Sequence, residues 1–258
     1  MQAFVINLDA ATDRWAFVEN SFARSRLHLR RVPAIDIKDL TFPHPDYSEN
    51  LYRLLHGRTP NRRELACYLS HIKALETFLA TGDSHAVIGE DDIVLRPDID
   101  VVLEAALRHA RRWNIVRLSA LGTGHPLRIA RLYRDYSLCV NMGRLKGSGA
   151  YLVDRLAAET LRKKLLPMRL PYDHAIDREW LWGLRAACIL PFPISQTEND
   201  FDSSVQPGTW PRLSRSRRFL TTYPYQATNE MSRWLFRASY SLRLKLATLV
   251  APPSAPGK

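Results

Sequence analysis

An α/β sandwich around a mainly parallel sheet is the fold this sequence predicts, and three observations predict it. Strand-like and helix-like segments alternate along most of the chain, the order that packs helices against a parallel sheet. At 258 residues and 46% hydrophobic content, the chain can bury a full core, as one large domain or one domain with an appendage. The third is the run Ala86-Val87-Ile88-Gly89-Glu90-Asp91-Asp92-Ile93-Val94-Leu95, where three adjacent carboxylates stand at the end of a short apolar stretch. In open α/β folds, ligands bind beyond the tips of the strands.

Residues 3 to 8 read as a buried strand, followed by a turn from Asp9 to Asp13. A helix from about Thr12 to Arg26 carries Trp15, Val18 and Phe22 on one face. His28 to Ile35 reads as a second strand. Asp36 to Arg58 lacks periodicity and holds Pro43, Pro45 and Gly57, so it is predicted as a long loop. Thr59-Pro60-Asn61 starts a helix, with Pro at or near its first position. That helix carries Leu65, Tyr68, Leu69, Ile72, Leu75, Phe78 and Leu79 at helical spacing and ends near Gly82. A strand leads into the acidic triplet, and Pro97-Asp98 opens a helix to about Trp113. Ile115 to Leu118 is strand-like, and two or three strands follow between Leu127 and Val153. Among them Gly147-Ser148-Gly149 lets a chain or ligand approach closely. A helix from Asp154 to about Leu166, Pro171-Tyr172-Asp173-His174, a short Trp-rich helix and a strand at Ala186 to Leu190 complete the body.

No apolar run approaches the roughly 18 to 20 residues that span a bilayer. The opening Met1-Gln2-Ala3-Phe4-Val5-Ile6 has no basic leader and reads as a first strand, not a signal peptide. Cys67, Cys139 and Cys188 have no paired spacing, so the expectation is reduced thiols in a cytosolic protein. No Cys/His cluster has zinc-ligand spacing, and no nucleophile elbow, P-loop or dinucleotide fingerprint is present.

The triplet has two readings, a solvated acidic turn or a site for a divalent cation that holds a phosphorylated substrate. Like charges at a strand tip repel unless a cation offsets them. On an extended segment Glu90 and Asp92 share a face while Asp91 points away. In the helix Arg63 to His71, adjacent Ser70 and His71 project about 100° apart, which argues against a Ser–His nucleophilic pair.

Five pieces of the chain occur in the order and approximate spacing of a known family. They are Ile6-Asn7-Leu8 with Asp13-Arg14, then Glu64-Leu65-Ala66-Cys67-Tyr68-Leu69-Ser70-His71, Glu90-Asp91-Asp92, Gly149-Ala150-Tyr151-Leu152 and Pro171-Tyr172-Asp173. Over residues 3 to 205 the chain resembles glycosyltransferase family 25, which includes lipooligosaccharide glycosyltransferases and collagen galactosyltransferase domains. Ala66 stands where the family usually has Gly, and Gly89 where it often has an apolar residue. The resemblance implies a GT-A-like nucleotide-sugar-binding fold, a donor such as a UDP-sugar, and inversion at the anomeric carbon. It implies transfer of a hexose, galactose or glucose, to a lipooligosaccharide or other glycan or lipid-linked acceptor. Donor contacts are then expected from Ile6, Asn7, Leu8, Arg14, Ser70, His71, Glu90 and Asp91. Hard oxygen ligands suit Mn2+ or Mg2+, with Asp92 as first ligand and Glu90 and His174 as further ones. Asp173 is the candidate base for the acceptor hydroxyl, or else a helix N-cap, and Asp91 is the next candidate. Arg14 meets diphosphate oxygens or is a plain surface residue. Asp177 and Glu179 are expected on the surface, and Glu198 to Ser204 as a polar loop near the site.

The net charge of +11 is concentrated at the C-terminal end. Residues 207 to 258 hold nine basic residues and one acidic residue, Glu230, a net +8. The domain division is therefore placed at 206, with 207–258 as a basic appendage. From Asn229, Met231, Trp234, Leu235, Ala238, Leu242, Leu246 and Leu249 form a helical stripe, with Arg233 and Arg237 on another face, though Leu242 to Leu246 also alternates as a strand would. Such a helix fits an anionic membrane surface, which would place the protein in the cytoplasm, peripheral at the inner face of the cell membrane. It also fits a helix packed on the chain's own core. A different class of function stays open: nucleic-acid binding or metal-dependent phosphoryl transfer, with Arg and aromatic residues interleaved from Trp210 to Phe219. A near-neutral body without a nucleic-acid motif makes nucleic acid the less favoured partner.

Overall fold

The computed structural model describes residues 1–59, 61–196 and 211–250, with side chains to 246. The strands are β1 Gln2–Asn7, β2 His28–Pro33, β3 His85–Glu90, β4 Ile93–Leu95, β5 Ile115–Arg117, β6 Pro126–Tyr133, β7 Tyr136–Asn141, β8 Ala150–Asp154, β9 Ala186–Leu190 and β10 Ile194–Gln196. The helices are α1 Thr12–Phe22, α2 Glu49–His56, α3 Arg62–Leu79, α4 Ile99–Leu107, α5 Arg155–Lys164, α6 Tyr172–Ile176, α7 Arg215–Leu220 and α8 Thr222–Val250.

Eight strands form one sheet in the order β2-β1-β3-β8-β5-β9-β7-β6. From the pairings, β1, β2, β3, β5, β9 and β6 run one way, and β8 and β7 run against them. The expected mainly parallel sheet is therefore present. Its inner strands, such as β1 and β3, are apolar on both faces because helices cover both. Phe4 and Ile6 of β1 join one core with α3, α5 and α6, while Ala3 and Val5 join the other with α1 and α4. Local chemistry sets the helix starts: the Asn61 side chain accepts from the Arg63 N–H at 2.9 Å, and Asp154 from Ala157 at 2.7 Å. The predicted starts and ends hold to within a few residues, apart from the tail of the helix after Pro97, where α4 gives way to a 3-10 turn at Ala110–Arg112.

Three expectations need correction. The segment predicted as a loop contains a 3-10 turn at Ile37–Asp39 and α2. Of the apolar side chains on α2, Tyr52 is buried and Leu55 partly so, whereas Leu51 and Leu54 stay exposed, which hides its period. The helix closes on Gly57 at φ 79°, and a side chain there would crowd Thr222 of α8 at 3.1 Å. The short pair β4/β10 was too brief to register as strands in the sequence.

The third correction concerns α8, which is helical through Leu242 to Leu246 and turns Arg233 and Arg237 inward. Arg233, Arg237 and Ser241 are buried, while Met231, Trp234, Leu235, Leu242 and Leu246 are each more than half exposed. Asp177 and Glu179, expected on the surface, are the buried partners. Arg237 Nη2 lies 2.9 Å from Asp177 Oδ1 and 2.8 Å from Glu179 Oε2, and Arg233 Nε 3.2 Å from Asp177 Oδ2. Burying these ions needs near-complete pairing, and Arg237 also donates to the carbonyls of Asn141 and Gly143. The proposed division at 206, the loop at Glu198 to Ser204, and Pro60 lie outside the described residues.

Candidate active site

The parallel strands β1 and β3 end side by side, with Ile6 paired to Glu90. This brings the triplet to the tip of Asn7. Asn7 is buried, donates from Nδ2 to Asp91 Oδ2 at 2.7 Å, and accepts from Arg31 Nε at 2.9 Å. Arg14 Nη1, on the first turns of α1, lies 3.1 Å from Asp91 Oδ1. Ile6 is buried and Leu8 offers its carbonyl to Ala11 and Arg31, so both act through the backbone that shapes this turn.

The three side chains of the triplet take different partners. Glu90 accepts from Ser148 Oγ at 2.8 Å and meets His71 Nε2 at 3.3 Å. Asp92 accepts from Gln196 Nε2 at 3.2 Å. Gln196 reaches it past Gly149, where any side chain would collide with the amide. Burial, reinforced by the charges of Glu90 and Asp91, pushes Asp92 up to about 7. Glu90 goes the other way: burial would raise it, but the His71 and Ser148 hydrogen bonds outweigh that and hold it low.

Asp173 opens α6 and accepts two backbone N–H bonds, from Gly147 at 3.1 Å and His174 at 2.9 Å. It is not the N-cap, a position held by Pro171, but lies in the first turn of α6, close enough for its charge to act on Glu64, Cys67 and Glu90. Burial and these carboxylates push the Cys67 thiol well up.

Two expected site residues are placed elsewhere. Ser70 is buried, donates to the Ala66 carbonyl at 2.7 Å and accepts from the Ile35 N–H at 2.8 Å. It pins the end of β2 to α3 and has no opening to a donor. His174 stands with Nδ1 3.2 Å from Arg144 Nη1, edge-on to His56 at 5.1 Å, and lines a small cavity with Arg144, Arg178 and Arg233. Guanidinium groups make a poor setting for a dication, and the set Asp92, Glu90 and His174 is not assembled. His71, placed in the donor group, lies beneath it. Its ring stacks on Tyr172 at 4.0 Å, and the Tyr151 and Tyr172 hydroxyls meet at 2.7 Å.

Several residues at the site carried little local signal. Ser148 sat in a run of small residues. Gln196 lies 104 positions from Asp92 with no pattern to mark it. Tyr52, which donates to Glu64, fell in the segment predicted as loop.

The model of Glycosyltransferase family 25 (LPS biosynthesis protein) matches residues 1–176, which include β1, the Cys67–His71 helix, the triplet and Asp173. The chain belongs to glycosyltransferase family 25. As a member it is a glycosyltransferase, with a sugar donor and a glycan acceptor. No curated protein matches it. Among solved structures, A197 from STIV is similar at 9% identity and a TM-score of 0.37, covering 72% of this chain and 80% of that one. A glycosyltransferase involved in the glycosylation of the major capsid of PBCV-1 is similar at 13% identity and a TM-score of 0.35, with the same coverage. No helix among the described residues is long and apolar enough to cross a membrane.

Proposed function

We propose that this glycosyltransferase moves a hexose, galactose or glucose, from a nucleoside-diphosphate sugar to a lipooligosaccharide or other glycan acceptor, with inversion and with Mn2+ or Mg2+ as cofactor. The observation that carries the reading is the charge balance at the triplet. Asp92 is half-buried beside Glu90 and Asp91 and pushed up to about 7, so the site is short of positive charge. Carboxylate oxygens of Asp92 and Glu90 fit a hard divalent ion. Held there, the ion would stabilise negative charge on the departing diphosphate as a Lewis acid.

The chain's own residues divide the remaining work. Asn7 and Arg14 fix Asp91 at the strand tip, where it can bond the ribose of the donor. Asp173, oriented by two backbone N–H groups, takes the proton of the acceptor hydroxyl as that oxygen attacks from the face opposite the leaving group. Peripheral attachment to the inner face of the cell membrane is supported by the outward stripe of α8, flanked by exposed Arg243 and Lys245. The phosphate-gripping alternative draws less support, because Arg233 and Arg237 are engaged by Asp177 and Glu179.

The test is a panel of nucleotide sugars with Mn2+ and lipooligosaccharide acceptors, read as released nucleoside diphosphate. Acceptor-dependent release from UDP-galactose or UDP-glucose, retained in wild type and lost in Asp92→Ala, is expected. Release from neither donor with any acceptor, by folded protein, would overturn the hexose assignment.

A further inference from the structure

Directly behind the triplet lies a constellation of different chemistry. Cys67 and His71 stand one turn apart on α3, and Glu90 meets them from the end of β3. The Cys67 Sγ, a ring nitrogen of His71 and a carboxylate oxygen of Glu90 all lie within 4.8 Å of one another, the one such group of His, Cys, Asp and Glu among the described residues. His71 Nε2 and Glu90 Oε1 are 3.3 Å apart. Two ligands on a tetrahedral ion, each roughly 2.0–2.2 Å from it, stand at about that separation. The other ring nitrogen, Nδ1, faces the Tyr151 hydroxyl at 3.4 Å, and Tyr151 is tied to Tyr172. Metal-ligating histidines are held by an outer partner of this kind. Ser148 fixes Glu90 in the same way.

We propose that Cys67, His71 and Glu90 form a site for a thiophilic divalent ion of the zinc class. Its ligand set of sulfur, imidazole nitrogen and one carboxylate suits Zn2+ or Co2+ and not Mg2+. Thiolate and carboxylate together balance the ion's charge, the thiol proton leaves to water on binding, and three protein ligands leave a fourth position for water. The site is distinct in chemistry from the oxygen ligands at Asp92 and linked to it through Glu90. Zinc held there takes Glu90 away from the triplet, so it inhibits sugar transfer.

The direct test is titration of purified full-length protein with Co2+, read by absorption, which does not depend on turnover or on the identity of the donor. One equivalent is expected to give a near-ultraviolet thiolate-to-cobalt charge-transfer band, absent in Cys67→Ala and bleached by Zn2+. Absence of the band in folded wild type, or an equal band in Cys67→Ala, would overturn the proposal. Should Cys67→Ala fail to fold, wild-type protein alone decides. Zn2+ is expected to slow alkylation of Cys67 by iodoacetamide at least tenfold, read by peptide mass mapping, with buried Cys139 and Cys188 as internal controls. An unchanged rate would refute the site.

Discussion

Replacing Arg237 with Ala tests whether the C-terminal helix is part of the core. The guanidinium donates from Nε and Nη2 to both oxygens of Glu179 at 2.8 Å, from Nη2 to Asp177 at 2.9 Å, and from Nη1 to two backbone carbonyls. Asp177 keeps Arg233 in the variant, but Glu179, with no exposed surface, is left without its ion-pair partner. Breaking one side of a buried pair costs about 3–5 kcal/mol, because the remaining charge stays desolvated. At about 2–4 °C per kcal/mol for a chain of this size, the melting temperature should fall by about 6–20 °C. Arg237→Lys should fall between wild type and Ala, since an ammonium cannot make the forked contact. Leu242→Ala, on the exposed face, should change stability by no more than about 0.5 kcal/mol. The assay is thermal melting by circular dichroism of all four proteins at one concentration. An Arg237→Ala melt within about 2 °C of wild type would refute the reasoning and return α8 to a loosely attached appendage. By the same argument, removing residues 207–258 should destabilise the body, because it strips both arginines from Asp177 and Glu179.

Asp173→Asn should lower turnover by about 10² to 10⁴ with little change in donor affinity; steady-state kinetics with near wild-type turnover would leave Asp173 only its backbone contacts to Gly147 and His174. Burial, with the charge of His174 next, holds His56 down at about 3, so the folded ring stays neutral while the unfolded one takes up a proton below about 6.5. Its contribution is therefore intact above pH 6.5 and is lost as pH falls toward 3, by about 2 kcal/mol at pH 5. Urea midpoints at pH 7.5 and 5 should show that loss reduced in His56→Gln, and equal losses in both proteins would contradict it. Trp234→Ser with Leu235→Ser should weaken binding to anionic vesicles at least about tenfold without lowering the melting temperature. Unchanged co-sedimentation would remove α8 from membrane attachment.

What the sequence made legible follows from physics that is local. Phe4-Val5-Ile6 and Ala86-Val87-Ile88 announce buried strands by their own composition, and the triplet announces itself because three carboxylates have no place in a core. Asn61 and Asp154 mark helix starts through hydrogen bonds two or three residues long. What stayed hidden depends on partners far along the chain. Arg233 and Arg237 read as a solvated face, since nothing near them reveals that Asp177 and Glu179, more than 50 positions away, wait to neutralise them. Ser70 matched a family motif, yet its hydroxyl is spent on Ile35, 35 positions back. His174 follows Asp173 in the chain but meets Arg144, a pairing set by the loop between β7 and β8. Helical period gave α8 and its apolar stripe but left open which face packs on the body, because burial there is decided by charge pairing and not by hydropathy.

The central claim is that the carboxylates at the tip of β3 hold a divalent ion and, with it, the diphosphate of the donor. Isothermal titration of UDP into metal-stripped protein, with and without Mn2+, measures this directly in wild type and Asp92→Asn. Wild type should bind UDP at least about tenfold more tightly with Mn2+, a gain of about 1.4 kcal/mol or more, and Asp92→Asn should lose that gain while keeping the wild-type melting temperature. Equal affinity with and without Mn2+, or a metal-dependent gain that survives in Asp92→Asn, would contradict it.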